Sequence, residues 1–208
     1  QSKVARYLSH VARHQAAGAA SDPALSHHVM RRRQDAASLG LCAFMADHRD
    51  VYIVSAVRTP IGCFQGALKS QTAVDLGVAA AKAAIERANI QPTDIQEALI
   101  GCVLQAQLGQ SPARQVALRA GCPPSTDATT VNKVCASGMK CVALGAQSIR
   151  LGENEVILAG GMESMSRAPY YLQRGLMFGD ASLSDAVLHD GLTDALSQPV
   201  SYTHLTLP

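Results

Sequence analysis

Between residues 50 and 166 the chain alternates short apolar runs with longer stretches whose apolar positions recur every three to four residues, a pattern that predicts an α/β layered fold. Val51-Tyr52-Ile53-Val54-Ser55-Ala56 reads as the first strand, and Arg58-Thr59-Pro60-Ile61-Gly62 as a loop by its proline and glycine. From Thr72 to Ile90 the residues Val74, Val78, Ala81 and Ile85 fall on one helical face, with Pro92 beyond the end. Ala98 to Leu104 predicts a second strand, and Pro112 to Ala120 a second helix stopped by Gly121 and the pair Pro123-Pro124. Thr129 to Val134 predicts a third strand running directly into a third helix that continues to about Leu151. Glu155 to Gly161 predicts a fourth strand ending in glycines. Each strand is almost wholly apolar, as expected of a sheet covered by helices on both faces.

The rhythm is lost on either side. Residues 167–197 read as a loop-rich segment with short helices, the start of a loop domain. Residues 198–208, ending Ser201-Tyr202-Thr203-His204-Leu205-Thr206-Leu207-Pro208, have no helical or strand role and look foreign to what precedes them. Residues 1–44 hold Arg6, Arg13 and the run Arg31-Arg32-Arg33 among many alanines and few acids, and are expected to be an extension outside the fold. Met45, just ahead of the first strand, is the expected start of translation and of the main domain, 45–166. The competing reading is an organellar leader, since such leaders are arginine-rich and acid-poor; Lys3-Val4 followed by His10-Val11 loosely resembles a peroxisomal one. The expected compartment is cytoplasmic if 1–44 is no leader, and mitochondrial or peroxisomal if it is. The arginine run is a solvated charge cluster or sequence that never folds. No internal repeat of 20–50 residues is present.

Composition narrows the function classes. The 208 residues are 48% hydrophobic and 16% charged, which suits a packed interior. A net charge of +2 gives no reason to expect a nucleic-acid partner. No apolar run approaches the roughly 18 residues of a membrane-spanning helix, so no membrane is expected either. The six cysteines, Cys42, Cys63, Cys102, Cys122, Cys135 and Cys141, are scattered, with no CxxC pair and no secretory leader ahead of them. Reduced thiols are therefore expected rather than a disulfide framework, and the question becomes which thiol does chemistry.

The informative stretch is Val131-Asn132-Lys133-Val134-Cys135-Ala136-Ser137-Gly138-Met139-Lys140. A strand ending at Val134 is followed by a helical stripe at Met139, Val142, Ala143, Ala146 and Ile149, which puts Cys135 on a tight strand-to-helix turn at a helix N-terminus. The unpaired N–H groups and positive end of the helix dipole favour a thiolate there. The same donors can stabilise a carbonyl oxygen that turns negative when sulfur attacks it. Ala136, Ser137 and Gly138 are small enough to let a substrate approach, and the arrangement parallels the nucleophile elbow of serine hydrolases. Most free cysteines are simply small buried hydrophobes, and Cys63, Cys102, Cys122 and Cys141 are expected to be of that kind. Gly160-Gly161, after the fourth strand, is better explained by close backbone packing behind the site than by a phosphate-cradling loop.

The stretch around Cys135 resembles the nucleophile motif of the thiolase family, and three further segments agree in order and spacing: Val54 to Gly62, Gly101-Cys102-Val103-Leu104-Gln105, and Ala159 to Ser166. The likeness runs over about residues 50 to 196 and is greatest to biosynthetic acetyl-CoA acetyltransferases. It implies a thiolase-like layered α/β fold, with helices covering a mixed five-stranded-type sheet, of which this chain carries the first half of a duplicated arrangement. It also implies Cys135 as the nucleophile that accepts an acyl group from a thioester, the Cys135 N–H as one oxyanion donor, and a second acyl-CoA supplying the carbanion. Acetyl-CoA and acetoacetyl-CoA would be the partners, coenzyme A thioesters serving as substrates with no further cofactor and no metal, in a homo-oligomer (dimer or tetramer) when full length. Met162 and Met165 would line the pocket. The family's Gly-His-Pro histidine, its Asn-Glu-Ala-Phe asparagine and its Cys-x-Gly cysteine do not occur here, and His189 and His204 lack the Gly-His-Pro context. His189 is expected to be a solvated loop histidine, and the 208-residue chain is expected not to turn over. The alternatives are a degradative 3-ketoacyl-CoA thiolase or a non-catalytic truncated half-domain.

Overall fold

The structure, a computed structural model, describes residues 49–175 and 178–196. The expected extension 1–44, the start at Met45 and the tail 198–208 lie outside the described residues.

Helix α1 (Ala73–Ala88) starts where Thr72 and Asp75 cap each other. The Thr72 hydroxyl oxygen accepts the Asp75 N–H at 3.1 Å and the Asp75 carboxylate accepts the Thr72 N–H at 3.1 Å. The helix ends on Asn89, whose left-handed backbone (φ 54°) closes the last turn. Helix α2 (Pro112–Arg119) opens with proline, and its Ala113 N–H donates to the Thr130 hydroxyl at 3.0 Å. Helix α3 (Ser137–Leu151) ends on Gly152 at φ 78°.

Three strands pair in parallel in the order β2 (Asp127–Val131), β1 (Glu97–Gly101), β3 (Ile157–Gly161). The central strand distributes its side chains by the twofold alternation of a strand. Ala98, Ile100 and Cys102 enter one core with Val74, Val78, Ala81 and Ile85 of α1 and Ala113, Val116 and Ala117 of α2. On the opposite face Gly101 lies against the first turn of α3. On the same side of β3, Ile157 packs against Gly145 of α3. Sheet and helices are thus layered as expected.

The boundaries and the sheet itself differ from the sequence reading. The described residues hold three paired strands in this sheet, all parallel, rather than a mixed sheet of five. Val51 to Ala56 forms no ladder. It lines an apolar cavity of about 380 Å³ together with residues of α1, α3 and β3, and leaves Ile53 75% and Val54 70% exposed. A strand is defined by its partner's hydrogen bonds as well as its side chains, and this segment has the side chains alone; the Arg87 guanidinium donating to the Ala56 carbonyl at 2.9 Å ties it to α1. The third strand stops at Val131, so a turn of five residues separates it from α3. Beyond β3, residues expected as loops with short helices form a two-stranded antiparallel ladder, β4 (Tyr170–Tyr171) with β5 (Ser184–Asp185). A single π-helical turn, Val187–Leu192, follows β5.

Candidate active site

The turn between β2 and α3 is built by its own polar groups. The Val134 N–H donates to the Asn132 side-chain oxygen at 3.0 Å. The Ser137 hydroxyl donates to the Val134 carbonyl at 2.6 Å and accepts the Lys133 N–H at 2.8 Å. Between these anchors Val134 adopts φ +47°, a left-handed conformation that a β-branched residue rarely takes. Cys135 follows it, and Ala136 is the N-cap of α3. Cys135 therefore stands one residue outside the cap rather than in the first helical turn, because the left-handed residue ends the extended chain before the helix can begin.

Glycines set how close the helix comes. A Cβ on Gly101 would lie 2.6 Å from the Ser137 carbonyl carbon and 2.7 Å from the Gly138 nitrogen. A Cβ on Gly161 would lie 3.2 Å from the Gly138 Cα, whereas one on Gly160 would meet nothing within 4 Å. Gly161 thus has the close-packing role expected of the pair, and the first turn of α3 rests on the C-terminal ends of β1 and β3.

At that end of the sheet Cys135 is exposed and lines a cavity of about 450 Å³. Val103 and Leu104 from the loop after β1, Met162, Glu163 and Met165 after β3, and Val187, Gly191 and Leu192 of the π-helical turn form its other walls. Met162 and Met165 are both there, as the sequence reading has them. Glu163 fixes the wall that follows β1: its two carboxylate oxygens accept the Val103 N–H at 2.9 Å and the Leu104 N–H at 3.1 Å. Sequence reasoning missed this glutamate, although a lone charge inside the apolar and small-residue run after β3 was a signal for it. It also missed the π-helical turn, for which the sequence offers no comparable sign.

Of the other described cysteines, Cys102, Cys122 and Cys141 are buried as expected, whereas Cys63, expected to be of the same kind, is exposed in a turn. Burial, then the charge and hydrogen bonding of Glu163, push the Cys102 thiol up to about 12, and burial likewise raises Cys122 and Cys141. His189 is exposed as expected, but it belongs to the π-helical turn and its ring pairs with Asp190 at 2.7 Å. Tyr171 donates to the same carboxylate, which pushes the phenol up to about 12. Burial alone would raise Asp190, yet the hydrogen bonds from Tyr171 and His189 together hold it below the usual carboxylate value. His204 lies outside the described residues. Among the described residues no group of three or more His, Cys, Asp or Glu is placed to hold a metal ion, and no helix is long and apolar enough to cross a membrane.

The profile of the thiolase N-terminal domain matches residues 51–202. An acetyl-CoA acetyltransferase of Yarrowia lipolytica is 57% identical over 143 residues, which is 69% of this chain and 36% of that protein. A cytosolic acetyl-CoA acetyltransferase of Gibberella zeae is 55% identical over 157 residues, 74% of this chain and 40% of that protein. A mitochondrial one of Mus musculus is 51% identical over 150 residues, 72% of this chain and 35% of that protein. The crystal structure of Acat5 thiolase from Ascaris suum in complex with coenzyme A superimposes with a TM-score of 0.72 at 46% identity, covering 73% of this chain and 40% of that one. The chain spans 35–40% of the length of these proteins. With this match over most of its length, and a parallel sheet and helices arranged as that likeness requires, the chain belongs to the thiolase family and carries its N-terminal domain.

Proposed function

We propose that the intact protein is an acetyl-CoA C-acetyltransferase that joins two acetyl-CoA molecules into acetoacetyl-CoA and CoA, or runs the reverse thiolysis, by way of an acetyl group on Cys135. The observation that carries this reading is the position of Cys135: an exposed thiol in the wall of a cavity of about 450 Å³, on the turn that enters α3, in a chain 51–57% identical to proteins named acetyl-CoA acetyltransferase.

In the first half-reaction the Cys135 thiolate attacks the thioester carbonyl. A bond from sulfur to the acetyl carbon forms, the bond from that carbon to the sulfur of coenzyme A breaks, and the departing thiolate takes up the proton that Cys135 gave up. The Cys135 N–H would donate to the oxygen that becomes negative on the way. In the second half-reaction another acetyl-CoA loses a proton from its methyl carbon, and the carbanion attacks the acetyl–enzyme. A carbon–carbon bond forms and the Cys135 thiolate is released. The group that takes the methyl proton of the second acetyl-CoA is sought in the length of the relatives that this chain does not span, so the 208-residue chain is expected to acetylate without turnover.

The test is incubation of the chain with acetyl-CoA, digestion, and mass analysis of the peptide containing Cys135. One acetyl group on that residue, with no steady consumption of acetoacetyl-CoA and CoA, is the expected result. An unlabelled Cys135 overturns the nucleophile assignment, and sustained turnover overturns the division of labour.

A further inference from the structure

The geometry points to Ser137 as the positioning residue that aims the Cys135 thiol, acting by holding Val134 in its left-handed conformation; this rests on the reading of Cys135 as the nucleophile.

Val134 is the residue on which the direction of Cys135 depends, because it is the last backbone pivot before the thiol. Its φ of +47° is costly for a β-branched side chain, and such a conformation persists only where its surroundings over-determine it. The side chain is not what holds it, since Val134 is 51% exposed. The Val134 N–H itself donates to the Asn132 side-chain oxygen at 3.0 Å, and the contacts that reach past the pivot on both sides come from one buried hydroxyl. Ser137 Oγ takes the N–H of Lys133 on one side of Val134 at 2.8 Å and gives its proton to the Val134 carbonyl on the other at 2.6 Å. The Ser137 backbone N–H adds a second contact to that carbonyl at 3.1 Å. Ser137 is itself fixed, only 5% exposed and pressed against Gly101. The hydroxyl therefore links the backbone on both sides of the strained residue to the start of α3. Without it, the Lys133 N–H loses its acceptor and the Val134 carbonyl one of its two donors; the Asn132 side chain and the Ser137 N–H alone then hold Val134, which relaxes toward an extended or right-handed conformation and swings the thiol of Cys135 away from the cavity.

A hydroxyl that merely capped the helix would matter equally whatever residue stood at 134. A hydroxyl that holds a strained valine matters much less when that residue is glycine, which adopts positive φ without penalty. The experiment measures the rate of Cys135 acetylation by acetyl-CoA, read by peptide mass, in the wild-type chain, S137A, V134G and V134G/S137A, with urea unfolding to establish that each is folded. The expected result is a loss of about tenfold or more in S137A, of the kind that follows misplacement of a reacting atom. In V134G/S137A the rate stays within about threefold of V134G. Equal losses in the two backgrounds, or S137A reacting as fast as wild type, overturn the proposal. Should S137A not fold, the glycine background decides: V134G/S137A folds and reacts like V134G, and its failure to do so overturns the proposal equally. A wild type that takes no acetyl group overturns the nucleophile assignment and this proposal with it, whereas a labelled wild type with an indifferent S137A overturns this proposal alone.

Discussion

Replacing Gly101 with alanine tests whether the sheet sets the position of Cys135. The added Cβ would meet the Ser137 carbonyl carbon at 2.6 Å, the Gly138 nitrogen at 2.7 Å and the Ser137 Cβ at 2.8 Å. Two of the three are backbone atoms, so no rotamer change relieves the contact; ordinary van der Waals distance is restored only if the first turn of α3 lifts off β1 by most of an ångström. Overpacking of this kind costs about 1–3 kcal/mol. Here the displacement falls on the residues that carry Cys135, and a misplacement of about 1 Å at a reacting centre costs on the order of a hundredfold in rate. G101A is therefore expected to lower the urea midpoint and to slow Cys135 acetylation by about two orders of magnitude. Gly160→Ala is the control, since its Cβ meets nothing within 4 Å. If G101A matched G160A in both stability and acetylation rate, the packing of α3 on β1 would not govern the site.

Three further outcomes are expected. Asp75 is held down to about 2, first by the Thr72 hydroxyl and then by Arg119, whose guanidinium lies 2.6 Å away; because the folded value is depressed, its stabilisation is complete above the unfolded value near pH 4 and fades as pH falls toward about 2. Urea unfolding of D75N against wild type should thus differ by about 1 kcal/mol at neutral pH and converge in acid, and a difference that persists at low pH contradicts the assignment. Glu163→Ala removes the acceptor of the Val103 and Leu104 N–H groups and should cost about 1–3 kcal/mol, with Glu163→Gln intermediate because its amide keeps one acceptor oxygen; an E163A chain as stable as wild type would show that the loop after β1 stands by itself. Iodoacetamide applied to the folded chain should modify Cys135 and Cys63 and reach Cys102, Cys122 and Cys141 only after urea is added, so early labelling of those three would refute the packing of the core.

The parts of the fold that were legible in the sequence are those in which side-chain pattern and environment coincide. Val74, Val78, Ala81 and Ile85 mark the inner face of α1, and Ala98, Ile100 and Cys102 the inner face of β1 and its continuation, because burial selects apolar residues at the period of each element. Val51 to Ala56 shows the limit of that logic: its composition is that of a strand, but pairing depends on a neighbour that pattern alone does not supply. The left-handed Val134 was beyond reach for the opposite reason, since local preference argues against it and the Ser137 hydroxyl overrules that preference. The elbow was foreseen from Cys135 and its small neighbours, but not the strain within it. Strands of two residues such as β4 and β5 are too short to leave any periodicity.

Selectivity among the described thiols follows from where the layers end. Cys102 continues β1 into the core and faces the Glu163 carboxylate at 3.7 Å, so ionising it would place a second negative charge beside the first in a buried setting. Its thiol is pushed up to about 12, so it stays protonated at neutral pH. Cys122 and Cys141 are raised by burial as well. Cys135 is of the same residue type, but the chain carries it past the last paired residue of β2, through a left-handed turn and out to the open end of the sheet, where it meets solvent and the cavity. The core thiols are kept inert by the same packing that positions the elbow. Exposure thus separates Cys135 and Cys63 from the three core thiols, and of the two exposed ones it is Cys135 that lines the cavity at the end of the sheet.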